Sequence, residues 1–322
     1  MRSRLLFIVI FVVVLISILM TGTNFYMDWL WFKDLNVDQV FWTQYLTSWG
    51  MRLAGWLVMF AIFFVNLLFT RKYILSFPNL ALREKLMASG AMSLLTPRRL
   101  TIYFLIGSGV LAFFLSGYTG TFWMEFLHFV NHVPFNVSDP VFGTDASFYV
   151  FRLPFYRFLY GFLMMSFVFT LVIIGAIYLL LNPPSQGKRT WILTNKSGIS
   201  HIAVLLAIIF GLKAWDYHLQ QLELVLSERG IVFGAGYTDI SANYPVLMVL
   251  MILAAVIALV FLVNAFLRRQ QLFVYGVLAL VGVSLLGGWV YPAAIQSFVV
   301  EPSEFSYERD YLDHNIEFTR YA

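Results

Sequence analysis

From Pro245 to Leu267 the chain carries no charged residue and one side-chain amide, Asn264. A run that long and that apolar matches the roughly 20 residues a helix needs to cross a hydrocarbon layer of about 30 Å. It is one of seven. The others lie over about 5–26, 53–69, 100–118, 158–181, 199–215 and 272–295. In lipid every backbone N–H and C=O has to be paired within the segment, so continuous runs of this length admit only helices. Composition agrees: 12% of residues are charged, against about a quarter in water-soluble domains, and mean hydropathy is +0.79. The expected fold is all-α, an integral-membrane bundle of seven helices.

The first run, Leu5–Met20 behind Arg2 and Arg4, has the shape of a secretory signal. Met20-Thr21-Gly22-Thr23-Asn24 lacks a small-x-small cleavage site, however, and the aromatics Phe25, Tyr26, Trp29, Trp31 and Phe32 continue as an interfacial belt. An uncleaved span is expected. The fifth run, Ile199–Trp215, is short and holds His201 and Lys213 near its two ends, and charge decides its status. With seven spans and a cytoplasmic N-terminus, the inner segments hold Arg2, Arg4, Arg71, Lys72, Arg83, Lys85, Arg98, Arg99, Lys188, Arg189, Lys196, Arg268 and Arg269. Glu84 is their one acid, and every other Asp and Glu falls outside. Removing the fifth span reverses the last part of this pattern, against the positive-inside rule. Seven spans, N-terminus in and C-terminus out, therefore fit best.

No cysteine is present, so a disulfide framework and a thiolate metal site are excluded. The basic residues form short juxtamembrane clusters without a long basic face, which excludes a nucleic-acid surface. The partners expected are the bilayer, envelope proteins or further copies of the chain. No cofactor is expected.

Three outer segments are substantial: Thr21–Met51, Thr119–Arg157 and Asp216–Tyr244. Within the second, Asp139-Pro140 followed by Gly143 is turn chemistry, Phe148-Tyr149-Val150-Phe151 suits a headgroup boundary, and Leu153-Pro154 opens the next span. In the third, Leu219, Leu222, Val225 and Leu226 continue the fifth helix on an amphipathic face until Gly230. Asn243 and Pro245 read as cap and first turn of the sixth span. On the inner side, Asn79–Ser89 reads as a short interfacial helix with Arg83 and Lys85 toward headgroups.

Three blocks taken together resemble the bacterial uncharacterised protein family 0182. They are Asp139–Tyr156, Gly230-Ile231-Val232-Phe233-Gly234-Ala235-Gly236-Tyr237-Thr238-Asp239, and the tail from Glu301-Pro302-Ser303-Glu304 through Tyr311, Asn315-Ile316 and Thr319-Arg320. The resemblance implies a plasma-membrane location and a multi-spanning region followed by a large extracytoplasmic domain. It implies no established activity and lends no catalytic residues. Residues 1–298 are thus expected to form the transmembrane domain, and 299–322 the start of a truncated extracytoplasmic one.

Candidate chemistry is sparse. Glu125, His128 and His132 fall at i, i+3 and i+7 of a helix expected over Thr121–Val133, where a Glu and two His on one face hold zinc with an open position. The plainer reading is an amphipathic interfacial helix, and no metal is assigned. Arg152 and Arg157 flank Leu153-Pro154 as lipid-phosphate contacts or partners of an outer carboxylate such as Asp145, with interface anchoring as the plainer reading. Asp216, His218 and Glu223 cluster beyond Lys213, which pairs with Asp216 at i, i+3; juxtamembrane solvation outweighs a proton or cation site there. His201 and His314 are expected without partners, at the interface and in solvent. Gly230–Gly236 lacks the lysine and Ser/Thr of a phosphate loop and reads as a turn.

The spans hold no acid at hydrocarbon depth, and Arg52, Arg157 and Lys213 sit at outer ends. Their polar residues are Asn66, Ser108, Ser166, Thr170, Asn264 and Ser284, and small residues recur as Ala207/Gly211, Ala254/Ala258 and Ser284/Gly288. Ion-coupled transport places ionisable groups at the midplane, and none is here. The function expected is a non-enzymatic envelope scaffold or anchor. A channel or transporter for a lipid or apolar solute ranks second, and a metal-dependent membrane enzyme third.

Overall fold

The structure, a computed structural model, describes residues 2–76, 80–181, 196–230 and 232–321. Lys188, Arg189, Asn79 and Ile231 lie outside the described residues. Most of the rest is helical, with irregular stretches at 131–145, 227–230 and 232–236. Among the described residues the sole strand-like pairing is one antiparallel bridge between Ser138 and Asp145. The elements are α1 (Arg2–Asp34), α2 (Asp38–Ser76), α3 (Leu80–Ala88), α4 (Pro97–Ser116), α5 (Trp123–Val130), α6 (Leu153–Leu181), α7 (Lys196–Glu223), α8 (Tyr244–Leu267), α9 (Gln271–Leu285), α10 (Tyr291–Ile295) and α11 (Glu304–Tyr321). Six helical stretches are long and apolar enough to cross a membrane: Asp38–Ser76, Pro97–Val130, Phe148–Leu181, Lys196–Leu226, Asp239–Leu267 and Gln271–Glu317. They contain the second to seventh expected spans; the first falls within α1.

Packing follows a path from α4 to α2, α6, α7, α8 and α9, with α7 and α8 the most extensively packed pair. Met59 and Phe63 of α2, Ala112 of α4 and Phe162 of α6 form one buried cluster. Ile174 and Tyr178 of α6 pack on Ile199 and Leu205 of α7, and Phe210 of α7 packs on Ile257 and Phe261 of α8. The outward faces stay apolar: Phe69, Phe114, Leu180 and Phe266 are all at least 70% exposed, which in water would be a liability and in lipid is solvation.

Most polar residues within the spans bond internally, though among the described residues the Asn264 Nδ2 has no partner. Ser166 and Thr170 donate to carbonyls one turn back, at 2.7 Å each, and Ser108 does the same to Phe104. Asn264 stops α8: its Oδ1 accepts the Arg269 N–H at 2.8 Å, while Arg268 adopts a left-handed φ of 59° and donates to the Asn264 carbonyl. His201 is not a lone interfacial ring as expected. Its Nδ1 and the Tyr178 hydroxyl are 3.1 Å apart and its Nε2 lies 2.9 Å from Asn66 Oδ1, which ties α7 to α6 and α2.

Thr21–Met51 is a helical hairpin: α1 and α2 continue to a tight turn at Asn36 (φ 57°), zipped by Phe25 against Phe41 at 5.3 Å and Tyr45 at 5.0 Å. Two local expectations are corrected. The helix expected over Thr121–Val133 divides into a 3-10 segment, Gly117–Phe122, and α5, which stops at Val130. Asn243 is no cap. A π turn, Asp239–Asn243, carries the helix further back, and the Asn243 amide donates to Asp239 Oδ1 at 2.9 Å. Pro245 does sit in the first turn of α8, and α3 is a short helix where one was expected.

The bundle has two unlike ends. At the base, Arg71 bonds Thr101, and Arg268 Nε donates to Ser200. At the other end, here called the cap, Ser48 meets Gly120, Arg157 meets Glu223, and Phe142 stacks near Tyr244. Four π turns lie among the described residues, Phe148–Arg152, Asp239–Asn243, Leu286–Val290 and Gln296–Val300, and all are at the cap. Such widened turns are frequent where a helix serves a function beyond spanning.

Candidate functional site

The cap is built from three stretches far apart in the chain. The first is the loop before α6, organised by a buried carboxylate. Asp139 Oδ1 accepts the N–H groups of Val141 and Phe142 at 2.9 and 2.6 Å, and Oδ2 accepts the Thr144 N–H and the Tyr149 hydroxyl, both at 2.9 Å. Gly143 turns the chain with φ 66°, as its glycine suggested. Asp145 completes the loop by accepting from Phe135, Asn136 and Ser147 N–H groups. The Ser147 hydroxyl foremost, and then these N–H groups, hold its carboxyl down at about 2. Asp145 is therefore not the partner of Arg152 or Arg157.

The second stretch is the glycine turn, and the third is α11. Gly234 has a φ of 127°, and Gly236 lies so close to Glu308 that a Cβ there would sit 3.0 Å from its carboxylate. The Tyr237 N–H points at both Glu308 oxygens, 3.2 Å each, and Asn315 Nδ2 donates to the Phe233 carbonyl at 2.8 Å. The rings of Tyr237 and Tyr307 meet at a tilt, with centroids 4.8 Å apart. The turn thus does receive an anion, as backbone turns rich in glycine can. The anion is the chain's own Glu308.

Between these stretches lie two cavities of about 280 Å³ each. One is apolar, lined by Pro140, Val141, Val225, Phe233, Tyr311 and His314. His314 faces this space rather than solvent, with its Nδ1 enclosed and without a hydrogen-bond partner. The other is mixed, with Asp239, Asn243, Gln296 and Glu308 beside Trp289 and Pro292, and Arg229 Nη1 at 3.7 Å from Asp239.

Where the spans meet the cap sits an ion-pair cluster. Arg157 Nη1 is 2.5 Å from Asp216 Oδ1, and its Nε and Nη2 engage Glu223. Lys213 Nζ and Gln220 Nε2 meet Asp216 Oδ2 at 2.6 and 2.8 Å. The expected Lys213–Asp216 pair is present. Arg157 takes two outer carboxylates, neither of them Asp145, and His218 stands exposed apart from the cluster. Two cations meet two anions, so the group is balanced and clamps α6 to α7.

The other sequence candidates are not gathered. Glu125 has an enclosed Oε2 without a hydrogen-bond partner, His128 packs edge-on against Phe151 at 5.6 Å, and His132 Nδ1 is 3.2 Å from the Phe129 carbonyl. Because α5 ends at Val130, His132 leaves the helical face that the spacing assumed. Among the described residues no three His, Asp or Glu side chains are placed to share a metal ion. Arg152 has an enclosed Nε without a partner. Sequence reasoning missed Glu308 and Asp239 as the polar centre of the cap. Their one signal was membership of the second and third blocks.

The chain is 38% identical to a UPF0182 protein of Pelotomaculum thermopropionicum, over 97% of this chain and 35% of the relative. A UPF0182 protein of Desulforamulus reducens is 35% identical over 96% of this chain and 34% of the relative, and one of Moorella thermoacetica 38% over 94% and 33%. The chain spans about a third of the length of these relatives. No solved structure matches it. With residues 5–322 matched by the family's model, the chain belongs to the Uncharacterised protein family (UPF0182).

Proposed function

We propose that the chain is a seven-span plasma-membrane anchor, N-terminus cytoplasmic, whose extracytoplasmic cap holds a domain or an envelope partner. The observation that carries this reading is the docking of α11 on the cap through Glu308 and Asn315, which gives the polypeptide leaving the bundle a fixed place and direction. Orientation is supported by charge: Arg71, Lys72, Arg83, Lys85, Arg98, Arg99, Lys196, Arg268 and Arg269 fall at the base, facing the cytoplasm in this reading. Residues 1–298 form the membrane domain and 299–322 begin the outer one. The balanced ion pairs and internally bonded polar residues suit a rigid support, not a path for ions.

In-cell cross-linking tests this. A protein cross-linked to the wild-type cap, and lost in a Glu308→Ala, Asn315→Ala double variant that remains in the membrane, is the expected result. No cross-linked protein in either case, across reagents reaching the cap, contradicts the anchor reading.

A further inference from the structure

Three basic residues sit where the spans meet the cap: Arg52, Arg157 and Lys213. Arg157 and Lys213 are neutralised by Asp216 and Glu223. Arg52 is not: among the described residues no carboxylate or carbonyl takes any of its donors, and its Nε is enclosed without a partner. A guanidinium carries five N–H donors in a planar fork suited to phosphate, so an unused one at a membrane boundary calls for an anion.

Its surroundings are shaped for it. The Trp49 ring lies under the guanidinium carbon at 5.1 Å, a cation–π arrangement that orients the fork. The Arg52 stem crosses the backbone at Gly120, where any Cβ would collide with its Nε. Ser48 and Thr119 hold that crossing by bonding the Gly120 and Met51 carbonyls at 2.9 and 3.0 Å. A merely snorkelling arginine needs none of this. Beside it, between α2 and α4, runs a groove of about 490 Å³ lined by Trp49, Arg52, Leu53, Trp56, Phe113 and Phe114. Phe113 and Phe114 are 65% and 75% exposed, so the groove opens to the lipid side.

We propose that this groove is a phospholipid site, with the phosphodiester on the Arg52 fork and one acyl chain along Leu53, Trp56, Phe113 and Phe114. A free phosphate satisfies the fork but leaves the aromatic groove unfilled, and the groove's lateral opening suits a molecule already in the bilayer. This inference does not rest on the anchor reading.

Native mass spectrometry of the detergent-purified chain titrated with phosphatidylglycerol tests it. Wild type is expected to retain one lipid, and Arg52→Gln to bind about tenfold more weakly. Arg52→Lys, which keeps charge but loses the stacked fork, falls between. Gly120→Ala, which displaces the Arg52 stem, also weakens binding. Diacylglycerol, with the same chains and no phosphate, binds as poorly as the lipid does to Arg52→Gln. Should Arg52→Gln not fold, Phe113→Ala carries the test, with an expected loss of about fivefold. Equal lipid binding by Arg52→Gln, or by Phe113→Ala where Arg52→Gln does not fold, overturns the proposal, as does equal binding of diacylglycerol. Binding of glycerol phosphate as tight as that of the lipid, unaffected by Phe113→Ala, makes the site one for soluble phosphate and overturns the lipid assignment.

Discussion

Glu308, on the last helix, receives the Tyr237 backbone N–H between its two carboxylate oxygens, each 3.2 Å away, across 71 residues of chain. A charged acceptor is worth about 1.5–3 kcal/mol per bond when enclosed, and Glu308 is 6% exposed. Glu308→Ala is therefore expected to weaken the docking of α11 by about 2 kcal/mol. Hydrogen exchange in α11 should rise about thirtyfold in the variant while the spans stay protected. Uniform exchange in both proteins contradicts the docking.

Asp139 takes four donors while 5% exposed. Replacing it with alanine orphans three N–H groups and the Tyr149 hydroxyl, at about 1–3 kcal/mol for each donor that stays buried. Asp139→Ala is expected to lower thermal stability in detergent by about 3 kcal/mol or more, and Asp139→Asn, which keeps one acceptor oxygen, by less. A loss under about 1 kcal/mol for the alanine variant means water reaches the loop.

Asp145 gives the cap a pH dependence with a fixed sign. Its carboxyl titrates at about 2 in the folded loop against 3.8 ordinarily. A lowered value stabilises the folded form above the ordinary one, and the stabilisation disappears as pH falls through the folded one. Melting curves of wild type and Asp145→Asn should thus differ at neutral pH and converge between pH 3.8 and about 2. Curves that keep a constant separation down to pH 2 contradict the assignment.

The ion-pair cluster is unequal. The Asp216 side chain is 5% exposed and Glu223 36%. Removing Asp216 leaves Lys213 without a carboxylate and Arg157 with Glu223 alone, both partly buried, at about 2–4 kcal/mol, whereas Glu223→Ala should cost under about 1 kcal/mol because solvent screens that pair. Chemical denaturation in mixed micelles ranks the two variants, and the reverse order means Arg157 is held chiefly by Glu223.

What was legible in the sequence was what depends on local pattern. Apolar runs placed the long helices, Lys213 found Asp216 because they are three apart, and Asp139-Pro140 with Gly143 marked a turn. Partners distant in sequence were not legible: Arg157 and Asp216 are 59 residues apart, and Asn66 and His201 are 135 apart. Glycine spacing also misled in part. Ala254 is buried at α7–α8, yet Gly211 faces open space, and the tight α8–α9 contact is made by Gly276, where a Cβ would come within 2.6 Å of Phe261. The Glu125, His128 and His132 face failed for a local reason, the end of α5 at Val130.

The proposed topology puts cap and base on opposite sides of the membrane, cap outermost. The chain has no cysteine, so each introduced one is alone. A membrane-impermeant maleimide on intact cells should label Glu317→Cys on exposed α11 and reach Arg83→Cys at the base only after permeabilisation. Labelling of Arg83→Cys in intact cells with Glu317→Cys protected inverts the proposed topology and contradicts it.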